Sequence, residues 1–311
     1  NITVTWWTNI RFEKSFTADL CKVLKASGCV AVSGGLEVAS DRLLELIQKG
    51  VTVAQVARVT RNFTEAGIMV HAYLMYGYPT QTVQETIDSL EMVRQMFELG
   101  ILQSGFWHQF ALTAHSPVGL EPEKFGVVKD SDIAGTFANN DILFTDSIGA
   151  NHDKFSFGLK KSLFNYMHGL CFDFPLQEWF DFKIPHTKVP PHYIKTVLQE
   201  EPALALKLNG KVVWLGTMPT LTYFTKNKKG RSFAMATLLF HDKREEFSVG
   251  LPAEEAEWLI AFLNNAAMPN QSVTTLSQVR QSYDAAGLEN FELFWFGKPM
   301  QALREKGLLV L

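Results

Sequence analysis

The sequence predicts an α/β fold: a partial (β/α) TIM-type barrel half with parallel strands, followed by a smaller α+β C-terminal domain. Three observations predict it. Strands and helices alternate through about the first 117 residues, with strand-to-strand spacings of about 27 to 39 residues, as in right-handed βαβ units. Each of the first three strands has one aliphatic face and one more polar face. The texture then changes twice, after Pro117 and again near Ala203.

The elements follow from local chemistry. Ile2 to Ile10 is a β-branched and aromatic run and reads as a strand. Thr17 opens a helix carrying Leu20, Val23 and Leu24, which Gly28 stops. Cys29 to Glu37 is the second strand. Ser40 caps a helix with Leu43, Leu44 and Ile47 that ends at Gly50. Thr52-Val53-Ala54-Gln55 has the spacing of a capping box, and the helix behind it carries Val53, Val56, Thr60 and Phe63 on one face before Gly67. Ile68 to Gly77 is the third strand. Thr82 to Glu85 is a second capping box, opening a helix past Ile87, Leu90, Val93 and Phe97 to Gly100. Ile101 to Leu112 is the fourth strand.

The strand faces choose between the two parallel architectures. In the third strand Ile68, Val70, Ala72, Leu74 and Tyr76 oppose Met69, His71, Tyr73, Met75 and Gly77. In the first, Ile2, Val4, Trp6 and Ile10 oppose Thr3, Thr5, Trp7, Asn9 and Arg11. In the second, Val30, Val32, Gly34 and Leu36 oppose Cys29, Ala31, Ser33, Gly35 and Glu37. A doubly wound sheet is apolar on both faces. A barrel or partial barrel covers one face with helices and keeps its site at the carboxyl ends of the strands, where the polar groups gather here.

Three regions are expected: 1–117 as the barrel half, 118–200 as a helical, loop and aromatic-rich extension, and 201–311 as the small α+β domain. In the extension, a loop runs to about Gly149 and a helix covers Leu159 to His168. The aromatic stretch Phe172 to Phe182 plugs the barrel bottom or forms an inter-domain core, and Val189-Pro190-Pro191 is a rigid joint. In the last region Asn209-Gly210 signals a hairpin within Ala203 to Trp214. Phe233 to Phe240 is a strand. Pro252 to Asn264 and Val273 to Ala286 are helices, and Pro299 to Leu311 is a short helix then a strand. The helix–helix–strand order has a winged-helix flavour but no basic helix.

Composition narrows the function. The chain has 311 residues, with 29 Lys+Arg against 32 Asp+Glu and 47% hydrophobic residues. That excludes disorder, collagen and coiled coil. A net charge of −3 supplies no field for nucleic acid or anionic lipid, so neither is an expected partner. Lys226-Asn227-Lys228-Lys229 reads as a solvated turn. No apolar run reaches the ~18 residues of a membrane span. Cys21, Cys29 and Cys171 contain no C-x-x-C pair and read as buried or inert thiols of a reducing cytoplasm. The strand at Ile2, with no initiator Met, suggests a piece of a longer protein.

Several motifs stand in one order. Ser27-Gly28-Cys29-Val30-Ala31-Val32-Ser33-Gly34-Gly35-Leu36-Glu37 ends a strand in a Gly-x-Glu pattern. Lys49-Gly50-Val51-Thr52 follows the next helix. Leu74-Met75-Tyr76-Gly77-Tyr78-Pro79-Thr80-Gln81-Thr82 closes the third strand, and Phe110-Ala111-Leu112 with His115-Ser116-Pro117 closes the fourth. The set resembles the radical SAM superfamily: its fourth-strand motif, its "KG-T", its "fGxPgeT" and its sixth-strand turn, over about residues 2–117. Arg11 falls where many members carry an arginine on the third barrel strand. The closest flavour is the branch whose full-length members often have an N-terminal cobalamin-binding domain. Thr80 and Gln81 replace the usual Gly-Glu, and the C-x-x-x-C-x-x-C cluster loop is missing.

The resemblance implies the S-adenosylmethionine- and substrate-binding part of an enzyme that, at full length, cleaves S-adenosylmethionine reductively at a [4Fe–4S] cluster. The resulting 5′-deoxyadenosyl radical abstracts hydrogen from substrate. The cluster ligands, and possible use of cobalamin, lie outside this chain, which by itself is expected to be inactive and to bind no iron. Glu37 would accept hydrogen bonds from the ribose or the methionine ammonium, or else pair structurally with Arg11 or Arg42. Gly34 and Gly35 permit close backbone approach or mark a bulge. Gly77 presents turn amides to the adenine edge or serves plain turn chemistry, Leu74 and Met75 pack against adenine or the core, and Arg11 clamps a carboxylate. Asn9, His71, Tyr73 and His115 are substrate-side candidates, with His71 also readable as a satisfied interior histidine. Asn151-His152-Asp153 and Asn165 to His168 line the open side or serve as ordinary caps. Two other readings stay open: a (β/α)-barrel metallohydrolase using His71, His108, His115 and Asp146, and a non-catalytic interaction module.

Overall fold

The computed structural model describes residues 3–130, 140–146, 150–200, 206–241, 245–268 and 274–311. Expectations resting on Ile2, Gly149, Ala203 and Val273 lie outside the described residues. The chain divides into two compact units, Asn1–Glu201 and Pro202–Leu311.

The first unit opens with β1 (Trp6–Ile10), α1 (Ala18–Ala26), β2 (Cys29–Glu37), α2 (Asp41–Leu46), α3 (Val53–Glu65), β3 (Met69–Tyr76), α4 (Val83–Glu98) and β4 (Ser104–Gln109). The four strands form one parallel sheet in the order β1-β2-β3-β4. Sequential order and helices buried against one face make this half of a (β/α) barrel, not a doubly wound sheet. In β3, Val70, Ala72 and Leu74 are fully buried, while Met69 and Tyr73 on the opposite face are 57% and 37% exposed. That alternation is the two-residue period of a half-covered strand.

Side-chain caps start the helices where the sequence places them. Thr17, Ser40, Thr52 and Thr82 each accept the backbone N–H three residues on. Thr82 and Glu85 complete a reciprocal capping box. The Thr52 box is only half made: the Gln55 amide donates instead to the Phe12 carbonyl at 2.9 Å, tying α3 to the end of β1. The core under the sheet gathers Val32, Leu36, Val70, Leu74, Val56, Phe63, Leu90 and Met96.

The chain continues through α5 (Pro117–Leu120), an antiparallel pair of β5 (Val127–Lys129) and β6 (Phe144–Asp146), α6 (Ser156–Met167) and α7 (Tyr193–Gln199). Phe155, Leu159, Tyr166, Trp179, Phe180 and Ile194 belong to the same core as the four-stranded sheet. The aromatic stretch therefore packs within the first unit. Val189-Pro190-Pro191 is not a joint between units: Val189 is buried, and the Pro190 carbonyl accepts from Gln95 on α4.

The second unit contains β7 (Lys211–Trp214), β8 (Thr220–Lys228), β9 (Arg231–His241), β10 (Glu246–Pro252), α8 (Ala253–Ala266), β11 (Thr274–Thr275), α9 (Leu276–Ala285), α10 (Phe291–Trp295), α11 (Lys298–Glu305) and β12 (Leu308–Val310). One sheet has the order β10-β9-β8 and another β11-β7-β12. Among the described residues no hairpin forms around Asn209-Gly210. That turn leads into β7, whose antiparallel partners are β11 and β12, distant in sequence. The tight hairpin is instead β8–β9, turning at Lys229 and Gly230, both at positive φ. No helix among the described residues is long and apolar enough to cross a membrane.

Candidate cofactor and substrate site

The open face of the first sheet carries a register of polar and aromatic groups. Asn9, Ser33, His71 and Ser104 lie in line across the four strands, and Gly35, Tyr73 and Phe106 form the next row toward the carboxyl ends. The Nδ1 of His71 and the Ser104 hydroxyl are 2.8 Å apart. Burial, reinforced by nearby His108, pushes the His71 pKa down. His71 therefore has a side-chain partner at Nδ1 on the neighbouring strand. Tyr73 stands edge-on to it at 5.1 Å, and Phe106 lies 4.4 Å from the His108 ring.

At the end of β2 the register shifts between Gly35 and Glu37, and Glu37 adopts φ 58°. Its carboxylate folds over Gly35, and the Lys49 ammonium donates to Oε1 at 2.5 Å. A Cβ on Gly35 would clash with that carboxylate and lie 2.7 Å from the Lys49 nitrogen. Gly35 therefore clears space on the open face. The ion pair expected with Arg11 or Arg42 is made by Lys49. Arg42 is committed to Glu85 and Thr80, while Arg11, exposed at the end of β1, donates to the Gln48 carbonyl at 3.4 Å. Glu37 and Lys49 thus pair at the carboxyl end of β2, and Arg11, from the end of β1, reaches the turn that carries Lys49.

Two expected ligand contacts lie on the other face. Gly34 is buried under the Phe12 ring, 2.5 Å from where its Cβ would lie, so it serves packing and not ligand approach. Leu74 is fully buried in the helix-covered core, because the two-residue period places it opposite Met75. Met75 stays half-buried beside Val38, Tyr78 and Leu112. His115 is exposed beyond β4, and the structure brings none of the other candidates to it.

Gly77, at φ 77°, ends β3 beside a cavity of about 580 Å³. Gln109, Phe110, Phe144, Asp146, Asn151, His152 and Asp153 are among its lining. Asn151 accepts the Asp153 N–H at 3.1 Å, and Gln109 donates to Asp153 at 2.5 Å. His152 is 8% exposed and, among the described residues, neither ring nitrogen has a hydrogen-bond partner. Burial pushes its pKa down, against the nearby carboxylates of Asp146 and Asp153. Asn165 to His168 do not join this site: Tyr166 is core, and Asn165 and His168 bond to their own helix.

The departures at Thr80 and Gln81 have local answers. Thr80 takes φ 66°, the left-handed region that favours glycine. Its N–H is accepted by Asp146, and its carbonyl accepts from Arg42. Gln81 is fully buried, accepting from the Tyr78 N–H and donating to the Thr86 hydroxyl. Among the described residues no three His, Cys, Asp or Glu are placed to hold a metal ion, so the set His71, His108, His115 and Asp146 is not assembled.

Residues 9–93 match the radical SAM superfamily. The match includes the ends of β1, β2 and β3 and therefore Arg11, Glu37 and Lys49. The chain is 28% identical over 90 residues to the uncharacterised methyltransferase PH0819 of Pyrococcus horikoshii, covering 29% of this chain and 20% of that protein. It is 34% identical over 70 residues to the uncharacterised protein MK0932 of Methanopyrus kandleri, covering 22% and 13%. A solved relative is the radical S-adenosylmethionine methyltransferase TsrM from Kitasatospora setae with tryptophan substrate and a SAM analog bound. It has 15% identity and a TM-score of 0.38, covering 51% of this chain and 35% of that one. The chain thus spans a fifth or less of the curated relatives and about a third of the solved one.

Sequence reasoning missed Lys49 as the partner of Glu37. The Lys-Gly-x-Thr motif marked the turn, and a cation one helix beyond a strand-ending carboxylate was the available signal.

Proposed function

We propose that the β1–β4 half barrel binds S-adenosylmethionine and part of a substrate within a longer radical SAM enzyme. The observation that carries this reading is the Glu37 carboxylate, folded over Gly35 on the open strand-end face and paired with Lys49, inside the segment that matches the superfamily.

These residues fit the cofactor. Glu37 keeps Oε2 without a partner among the described residues, free to accept from a ribose hydroxyl or an ammonium. Arg11 faces the same end with a guanidinium suited to a carboxylate. Gly77 leaves backbone beside the neighbouring cavity. On one-electron reduction the bound cofactor supplies hydrogen-atom abstraction from a substrate. This chain's residues bind it, orient it and line the space next to it. Asn9 and Tyr73, exposed on the same face, are the substrate-side groups in this reading, and cobalamin is a second cofactor of the longer enzyme.

The cysteines do not fit an iron–sulfur cluster: among the described residues no three His, Cys, Asp or Glu are placed to hold a metal ion. We assign the cluster ligands to residues outside this chain.

The test is cofactor affinity of the full-length protein by equilibrium dialysis with S-adenosylmethionine. Glu37→Gln loses a charge-assisted acceptor and should weaken binding about 10- to 100-fold. Unchanged affinity in that variant would remove Glu37 from the site and the reading with it.

A further inference from the structure

We propose that Lys49 is the positioning residue for Glu37, holding one carboxylate oxygen so that the other is presented across the open ends of the strands. This rests on the cofactor reading above and adds a residue to it.

The pairing is made at a cost to the backbone. Glu37 and Gln48, immediately before Lys49, are non-glycine residues at φ 58° and 56°. Left-handed backbone is strained for such residues. Gly50, at φ 71°, completes the turn that brings Lys49 back toward β2. The resulting ion pair joins side chains 22% and 23% exposed. Ion pairs open to solvent contribute little, so this partly exposed pair does not offset the strain. Strain that stability does not explain is found where geometry matters for function.

The geometry supplies the purpose. Glu37 is the last residue of β2, just past a register shift, and Gly35 leaves the space its carboxylate enters. Without a partner, a three-bond side chain at such a position samples several rotamers. Lys49 engages Oε1 at 2.5 Å and fixes one orientation. Oε2 then faces a direction set by the turn Gln48–Gly50, while the Gln48 carbonyl accepts from Arg11 and ties the same turn to β1. The turn after α2 is therefore part of the site, acting through Glu37 and Arg11 without touching ligand itself.

The experiment measures the dissociation constant of S-adenosylhomocysteine, which does not turn over, by calorimetry on the full-length protein. It compares wild type, Glu37→Gln, Lys49→Met, the double variant and Lys49→Arg. A lost orienting contact should weaken Lys49→Met about fivefold, and adding it to Glu37→Gln should cost nothing further, since the two act through one group. Lys49→Arg, which keeps the charge, should bind within about twofold of wild type. If Lys49→Met weakens binding equally with and without Glu37, its role is structural and the inference falls. If Glu37→Gln weakens binding and Lys49→Met does not, the inference falls while the cofactor reading stands. If Glu37→Gln binds as wild type does, both fall.

Discussion

Asp146 accepts the backbone N–H of Thr80 at 3.0 Å, and so holds a non-glycine residue at φ 66° in the turn that closes β3. Arg42 grips the same residue from the other side, through its carbonyl at 3.0 Å and its hydroxyl at 3.1 Å. Where glycine would take this conformation without strain, threonine takes it under two polar restraints. Asp146→Ala leaves the Thr80 amide without its acceptor and should lower the unfolding free energy by about 1–3 kcal/mol in urea titration. A change below a few tenths would show that the turn needs no such restraint.

Arg42 also gives stability a pH dependence. Burial alone would raise the Glu85 pKa, but hydrogen bonds from Arg42 and from the Thr82 backbone and hydroxyl outweigh it and hold it down at about 2, against an ordinary 4.5. The folded value lies below the unfolded one, so the contribution is present above pH 4.5 and is lost as pH falls toward 2. Arg42→Met should flatten the stability-against-pH curve across that window, by about 1–2 kcal/mol once screening at the exposed arginine is counted. Denaturant midpoints measured between those pH limits check it.

Phe12 and Gly34 are matched shapes. Phe12 is fully buried and its ring occupies the space a Cβ on Gly34 would need. Gly34→Ala should destabilise by about 1–3 kcal/mol through overpacking. Phe12→Ala should cost about 3–5 kcal/mol through the cavity left. Paired melts of the two variants test the relationship, and a neutral Gly34→Ala would contradict it.

The thiols should divide by burial. Cys21 and Cys29 are buried with raised pKa values, while Cys171 is half-buried at φ 60°. Alkylation at pH 8 followed by peptide mass spectrometry should label Cys171 first and the other two only on unfolding. Rapid labelling of Cys21 in the native protein would overturn this.

The half barrel is legible in the sequence because its signals are local. Caps at Thr17, Ser40, Thr52 and Thr82 and two-residue alternation in β3 need no tertiary knowledge, and the strand-end motifs give the site's address. What escapes depends on contacts distant in sequence. β7 pairs with β11 and β12, which a turn signal at Asn209-Gly210 cannot reveal. Leu74 reads as a ligand contact because it adjoins the motif, although its parity puts it in the core. An arginine is the obvious partner for Glu37, yet the turn after α2 delivers Lys49, a result set by two left-handed residues that sequence does not announce.

Whether the strand ends hold the cofactor is decided by a crystal structure of the full-length protein with S-adenosylhomocysteine. Ligand density is expected on the open face of β1–β4, with Glu37 Oε2 within about 3 Å of a ribose hydroxyl or the ammonium. Density elsewhere, with the Glu37–Lys49 pair untouched and the strand ends empty, would contradict the assignment.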